Sequence, residues 1–308
     1  HRPFVNRVIG QPYQPGSTVK PLVLAAAITD GKLGRHQTIA CRGHLDPEHP
    51  DRYRCWIYKM FGATHGSLSG AESIARSCNI FYYTLGRRLG PDGIVDWYRK
   101  LGLGEALRVG LAEGVDGDLP DPDRRLAVAD AMFMGIGQGP VRWTPLQAAN
   151  AYATLVRRGR RLDPVMVAGP SREKRIDEDL GLDPGAVAEA LKGLYEAANE
   201  DYGTAHHLSL LGREPIFNIE GVKVYGKSGT AEAVPLRVDG NGDGRITTDD
   251  PIRRAGDHAW FIGLAEREYA DRPGYIVAVV VEYAGSGGAV AGPIANQVMH
   301  ALRAEGYF

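Results

Sequence analysis

The sequence has only three cysteines, Cys41, Cys55 and Cys78, and an odd count excludes a framework built purely from disulfides. It has no run of 18 or more apolar residues, so no stretch of it reads as a membrane-spanning helix. It has no excess of one charge. The 36 Lys and Arg residues meet 37 Asp and Glu, for a net charge of -1. No global field therefore favours nucleic acid or an anionic membrane surface. No signal peptide and no internal repeat is visible. The chain opens at His1 rather than Met, which reads as a fragment of a longer protein, so a missing N-terminal anchor carries no weight. What is present is ordinary globular material, 44% hydrophobic and 24% charged, enough for one large domain or two modest ones.

The pattern predicts helices first and strands last. Residues 17–28 read as a helix, with Pro21 tolerated in the first turn, where helix N–H groups have no internal partner. Residues 36–66 are polar and carry Gly, Pro, His and Cys, and read as a long functional or metal-held loop. Residues 69–89 read as a helical pair broken near "RSCN". Residues 127–157 read as helix, Gly-rich turn and helix, the second opened by Thr144 and Pro145, and 183–199 as another helix. Beyond residue 217, "GVKVYGKSGTAEAV", "HAWFIGLAE" and "YIVAVVVEY" read as strands, and "GPIANQVMHALRAEGYF" as a closing amphipathic helix. The fold class is α/β, α+β by order of elements, with an antiparallel sheet flanked by helices.

Three short pieces carry chemistry. Ser17 and Lys20 are three apart at a helix start, so their side chains share a face. A serine hydroxyl needs a base to become a nucleophile, and a lysine serves only when its pKa is lowered by burial or a second cation. The helix N-terminus adds positive potential for an oxyanion. Taken alone, Ser17 is as readily a helix N-cap. Ser77 and Asn79, in "SCN", offer a proton-relaying hydroxyl and an orienting amide, or else a plain helix cap. In "GKSGT", Lys227 can steer a carboxylate and lower the pKa of Lys20. Gly229 lets another backbone approach, and a peptide can pair along the strand through Ser228 to Thr230. The competing reading of Lys227 is protection of an edge strand.

In this order the pieces form the S-x-x-K, S-x-N, K-[ST]-G set of serine acyltransferases. The chain resembles the transpeptidase domain of class B penicillin-binding proteins, most closely the elongation type, over nearly its whole length. "NRVIGQPYQPGSTVKP", "GIGQGPVRWTPLQAANAYA" and "HAWFIGLA" carry the resemblance beyond the motifs. It implies the penicillin-binding protein and serine β-lactamase-like fold in a single domain over 1–308. Two further strands, a pedestal domain and a membrane-anchoring helix would precede residue 1, and the domain would work on the outer face of the bacterial inner membrane, in the periplasm. It implies that Ser17 attacks a peptidoglycan stem peptide, Lys20 takes the proton, Ser77 relays it and Asn79 contacts the substrate amide. Lys227, Ser228, Gly229 and Thr230 would line the substrate, and the N–H groups of Ser17 and Thr230 would form the oxyanion hole. Partners implied are stem peptides, β-lactams as mimics, and a membrane glycan polymerase, with no nucleic acid. No cofactor is implied for catalysis. A β-lactamase or β-lactam sensor, and a penicillin-binding scaffold without turnover, share the motifs.

Two segments raise metals. Cys41, Cys55, Cys78 and His65 make a Cys3His set that suits tetrahedral zinc, and the resemblance implies such a site in elongation-type members. A Cys41–Cys55 disulfide competes with it. His44 and His49 are alternative ligands. In "DGNGDGRITTDD", within an inserted segment 236–256, Asp239, Asn241 and Asp243 fall at positions 1, 3 and 5 of a calcium loop. Gly244 is at 6, Arg245 at 7, Thr247 at 9 and Asp250 at 12, where Asp replaces the usual Glu, as in dockerin-type loops. An Asp/Gly-rich turn is the plain alternative, and a calcium-dependent interaction module the weakest functional rival.

Overall fold

The computed structural model describes residues 4–107, 109, 114–166, 175–209, 212 and 214–308. The chain enters through one turn, α1 (Arg7–Gly10), capped by Asn6. Gly16, at φ +55°, swings the backbone into a 3-10 turn, Gly16–Val19, which runs on into α2 (Lys20–Thr29). The predicted helix is thus split: Ser17 lies on the tighter turn and the α-helix begins at Lys20. Pro21 sits in its first turn and interrupts nothing. Every residue from Lys20 to Ile28 is buried, so α2 is a core helix and not a one-sided surface helix.

Residues 36–66 are more ordered than their composition predicts. β1 (Ile39–Cys41) pairs antiparallel with β2 (Gly66–Leu68), and α3 (Trp56–Phe61) lies between them in sequence. Strands of three residues are too short to show a period. α4 (Gly70–Ala75) opens with a capping box of Ser69 and Glu72. α5 (Asn79–Lys100) follows and runs well past 89. It kinks at Gly90 (φ 75°, ψ 171°) and resumes at Pro91, whose missing N–H falls at the new start. α6 (Val128–Gly135) and α7 (Pro145–Val156) flank the Gly-rich turn, and Thr144 caps α7 as predicted. β3 (Arg160–Leu162) pairs with β4 (Asp177–Asp179), and α8 (Pro184–Asn199) is capped by Asp183.

The main sheet follows. β5 (Val222–Glu232) leads into a small pair, β6 (Leu236–Arg237) with β7 (Ile252–Arg254), which carries the acidic loop. β8 (Asp257–Arg267) and β9 (Tyr275–Val281) complete an antiparallel sheet of order β5-β8-β9. A π turn, Gly287–Ala291, leads into α9 (Gly292–Ala304). Along β8, Trp260, Ile262 and Leu264 face the cluster built on α2, α5 and α7. Ala259, Phe261 and Ala265 face Ala295 and Met299 of α9. The alternation puts helices on both sheet faces, as the fold class predicts. Among the described residues, no helix is long and apolar enough to cross a membrane.

Two glycines let the motif-bearing segments touch. A Cβ on Gly229 would lie 2.8 Å from Thr18 Cγ2 and 3.3 Å from the Pro15 carbonyl oxygen. The close neighbour of this strand is therefore the turn that carries Ser17. Gly137, at φ +74°, has Gly16 against it: a Cβ there would lie 2.0 Å from the Gly16 carbonyl oxygen. Both the left-handed backbone and the overlap oppose any side chain at 137. Gly137→Ala is expected to destabilise the fold by at least about 2 kcal/mol in urea unfolding, and an unchanged midpoint would refute this packing.

Candidate active site

Three elements meet at one hydroxyl. The 3-10 turn and α2 bring Lys20, the α4–α5 junction brings Ser77 and Asn79, and β5 brings Lys227. Lys20 Nζ donates to Ser77 Oγ at 3.2 Å, to the Ser77 carbonyl at 2.8 Å and to Asn79 Oδ1 at 2.8 Å. Lys227 Nζ donates to the same Ser77 Oγ at 3.0 Å and to the Ser228 carbonyl at 3.1 Å. Lys20 and Lys227 are both fully buried, and Ser77 is 7% exposed. Ser77 also holds φ +52°, a left-handed backbone rare outside glycine and costing roughly 1–2 kcal/mol. Such strain marks a position held by its surroundings.

Burial lowers Lys20 from 10.5 to about 8, against a smaller opposing pull upward from the Cys55, Cys78 and Cys41 side chains. Lys227 is driven well below its ordinary value, first by burial and then by the charge of Lys20. Two ammonium groups on one buried hydroxyl repel, so the pair favours loss of a proton. Ser17 sits half-buried one turn before Lys20. Its turn is held from below by Tyr152, whose hydroxyl donates to the Thr18 carbonyl at 2.6 Å, and by Thr18 Oγ1 on the Pro15 carbonyl at 2.7 Å. Thr230 is exposed on the rim of β5, while Ser228 Oγ donates to the Thr204 carbonyl at 3.0 Å.

Sequence reasoning missed Thr204. Its N–H and Oγ1 both donate to the Ala75 carbonyl, at 2.9 and 3.1 Å, so it ties β5 to the Ser77 junction. A lone threonine in a turn carries no signal of this. Tyr152 was missed for the same reason.

A family model described as the penicillin binding protein transpeptidase domain matches residues 1–300. The chain belongs to this family. It is 30% identical to the peptidoglycan D,D-transpeptidase MrdA of Haemophilus influenzae, over 97% of this chain and 45% of that protein. The chain thus spans less than half the length of that relative. Its fold is similar to that of penicillin-binding protein 2 of Pseudomonas aeruginosa in complex with WCK 5153. The TM-score is 0.77 and the identity 28%, covering 97% of this chain and 63% of that one. It is similar also to penicillin-binding protein A of Mycobacterium tuberculosis, solved as a ceftriaxone acyl-enzyme complex. There the TM-score is 0.71 and the identity 28%, covering 97% and 62%. The penicillin-binding protein fold expected from the motifs is therefore the fold present.

Beside the lysines, the ligand atoms of Cys41, Cys55, His65 and Cys78 all lie within 4.8 Å of one another. Cys55 Sγ is 3.5 Å from His65 Nδ1 and 3.9 Å from Cys78 Sγ. All three cysteines are buried and free, so the Cys41–Cys55 disulfide is absent from this arrangement. The alternative ligands stand outside the group. His49 is exposed and bonds Asp46, and His44 packs edge-on against Tyr58. The β1–β2 ribbon explains the convergence, because Cys41 pairs with Gly66, next to His65.

The acidic loop hangs between β6 and β7. Asp239 accepts from the N–H groups of Gly242, Asp243 and Gly244, and Asp243 accepts from that of Arg245. Asn241 Nδ2 donates to Asp243 at 3.0 Å. Asp250 is buried and accepts from the N–H groups of Gly240 and Thr247. Its carboxylate therefore closes the loop on itself. Among the described residues, the carboxylates of Asp239, Asp243 and Asp250 do not gather within 4.8 Å of one another.

The lowered lysine has a pH consequence with a definite sign. The unfolded chain holds the Lys20 proton up to 10.5 and the folded chain only to about 8. Below 8 the buried charge costs stability in full, and the cost fades as pH rises from 8 toward 10.5. Acylation of the site by a β-lactam is expected to rise with pH through a midpoint near 8. A stopped-flow rate profile checks it, and a flat profile between pH 6 and about 9 would exclude a neutral Lys20 as the base.

Proposed function

We propose that this chain is the catalytic domain of a peptidoglycan D,D-transpeptidase of the elongation type. The observation that carries it is the buried Lys20–Ser77–Lys227 network one turn from Ser17, in a chain of the penicillin-binding protein family. In this reading Ser17 Oγ attacks the carbonyl of the penultimate D-alanine of a stem peptide. Neutral Lys20 takes the hydroxyl proton. The C–N bond to the last D-alanine breaks, and its amine leaves with a proton relayed by Ser77. The N–H groups of Ser17 and Thr230 stabilise the oxyanion. An amine of a neighbouring stem then attacks the ester, forming the cross-link and returning the proton to Ser17. Lys227 keeps the Ser77 hydroxyl aimed and, with Ser228, Gly229 and Thr230, receives the substrate carboxylate and backbone. Asn79, already bonded to Lys20, orients the peptide amide. β-Lactams acylate the same serine. The names of the relatives support this reading, as does the acyl-enzyme of the mycobacterial protein. The reading extends to a place on the outer face of the bacterial cytoplasmic membrane and to a membrane glycan polymerase as partner.

The cysteine set fits zinc: four atoms of the right kinds converge, three of them buried. Cys41, Cys55, His65 and Cys78 would hold it. The ion would supply no chemistry at the serine and would brace the junction that carries Ser77 and Asn79, since Cys78 lies between them. The 239–250 loop is proposed as a calcium loop on the spacing of Asp239, Asn241, Asp243, Arg245, Thr247 and Asp250.

Intact mass after benzylpenicillin treatment, with peptide mapping, tests the main reading. The expected adduct lies on the Ser17 peptide, persists for many minutes and vanishes in Ser17→Ala. Lys20→Ala slows its formation by roughly 10²–10⁴-fold. An adduct elsewhere would overturn the assignment, and rapid release of hydrolysed drug would indicate a β-lactamase. Metal removal is expected to act at two places. Zinc chelation, or Cys55→Ser, lowers the melting temperature and slows acylation about tenfold. Calcium chelation alone leaves acylation intact but opens residues 236–256 to proteolysis.

A further inference from the structure

The turn after α8 brings together a second set of metal-binding side chains. The ligand atoms of Asp201, His206 and His207 all lie within 4.8 Å of one another. His206 Nδ1 is 2.9 Å from the Ala198 carbonyl, so that nitrogen carries the proton and Nε2 keeps a lone pair. Nε2 is 3.7 Å from Asp201 Oδ1. His207 is arranged the other way round. Its Nε2 is 3.1 Å from the Asp201 carbonyl, and its Nδ1 is buried with no hydrogen-bond partner. Each imidazole thus sets one nitrogen on a backbone carbonyl and leaves the other without a hydrogen bond. The rings meet edge to face, 4.3 Å apart. A carbonyl behind each ring is how metal-ligating histidines are fixed in one tautomer. An ordinary ion pair between Asp201 and a protonated His206 accounts for only half of this, because it leaves the buried His207 nitrogen unexplained.

We propose that Asp201, His206 and His207 bind one divalent transition-metal ion, best zinc, at a site separate from the cysteine cluster. Two neutral imidazoles and a carboxylate suit zinc, with a water completing the shell. The Asp201 side chain is 98% exposed, so the ion enters from solvent. Asp201 and the histidine pair bracket Thr204, which bonds Ala75 on one side and Ser228 on the other. One ion across the two ends of this turn holds Thr204, and through it Ser228, in place. That consequence rests on the transpeptidase reading; the binding does not.

Equilibrium dialysis against buffered free zinc at about pH 7.5, where free imidazole is mostly neutral, tests the site. Zinc per chain is compared for the wild type, Asp201→Asn and the double variant His206→Gln/His207→Gln. The cysteine set is common to all three and cancels. The wild type is expected to bind one equivalent more than the double variant, and Asp201→Asn to weaken that equivalent about tenfold or more. Asp201 is on the surface, so its variant keeps the fold, which an unchanged zinc-free melting temperature verifies. Equal zinc uptake by wild type and Asp201→Asn across the whole concentration range would overturn the proposal. Benzylpenicillin acylation separates the consequence from the binding. A zinc effect on the rate in the wild type that is lost in Asp201→Asn supports the positioning of Ser228, and no effect in either removes it.

Discussion

Two buried lysines share one serine hydroxyl. Lys20 and Lys227 approach Ser77 Oγ from opposite elements, and neither is exposed. A buried ammonium is costly, and two side by side are costlier. The rest of the core has to hold them there. α2 is buried on every side because it delivers Lys20, and β8 is packed on both faces because it backs β5. Ser77 accepts a left-handed backbone because the junction between α4 and α5 must turn its hydroxyl toward both lysines. The stability given up at this point is what makes a neutral amine available near neutral pH.

The turn that carries Ser17 depends on close backbone approach. Gly229 allows β5 to lie against Thr18 and Pro15, and Gly137 allows the α6–α7 turn to lie against Gly16. The Gly16 N–H donates to the Gly137 carbonyl at 2.9 Å, so the contact is a bond as well as a fit. Tyr152 reaches the same turn from α7. Ser17 is thus clamped between the sheet, the Gly-rich turn and α7, and the residue is itself half-buried.

The Ser77 junction is braced from two sides. On one side Cys78 joins Cys41, Cys55 and His65, brought over by the β1–β2 ribbon. On the other, Thr204 grips the Ala75 carbonyl and passes to Ser228. Both braces end within two residues of Ser77. A rigid junction holds the one hydroxyl that both amines reach at a fixed position between them.

Short-range signals were enough for much of this molecule. The capped helices at Thr144 and Asp183, the Pro in the first turn of α2 and the alternating strands β5, β8 and β9 were legible because each rests on local periodicity or on a terminal side chain. Ser17, Lys20, Ser77, Asn79 and Lys227 were legible as three separated motifs, since chemistry restricts the residue types at such spacings. Their meeting point was not. It depends on residues 57 to 150 apart in the chain closing on one oxygen. The β1–β2 ribbon was hidden because three-residue strands have no period, and the run of α5 past Gly90 because a Gly-Pro pair reads as a stop. Thr204, Tyr152 and the Asp201–His206–His207 group belong to no motif; only packing brings their partners within reach. The sequence by itself determined which side chains could do the chemistry, because reactivity is a property of residue type. Tertiary structure alone decided their protonation and alignment, because burial and distance are properties of the fold.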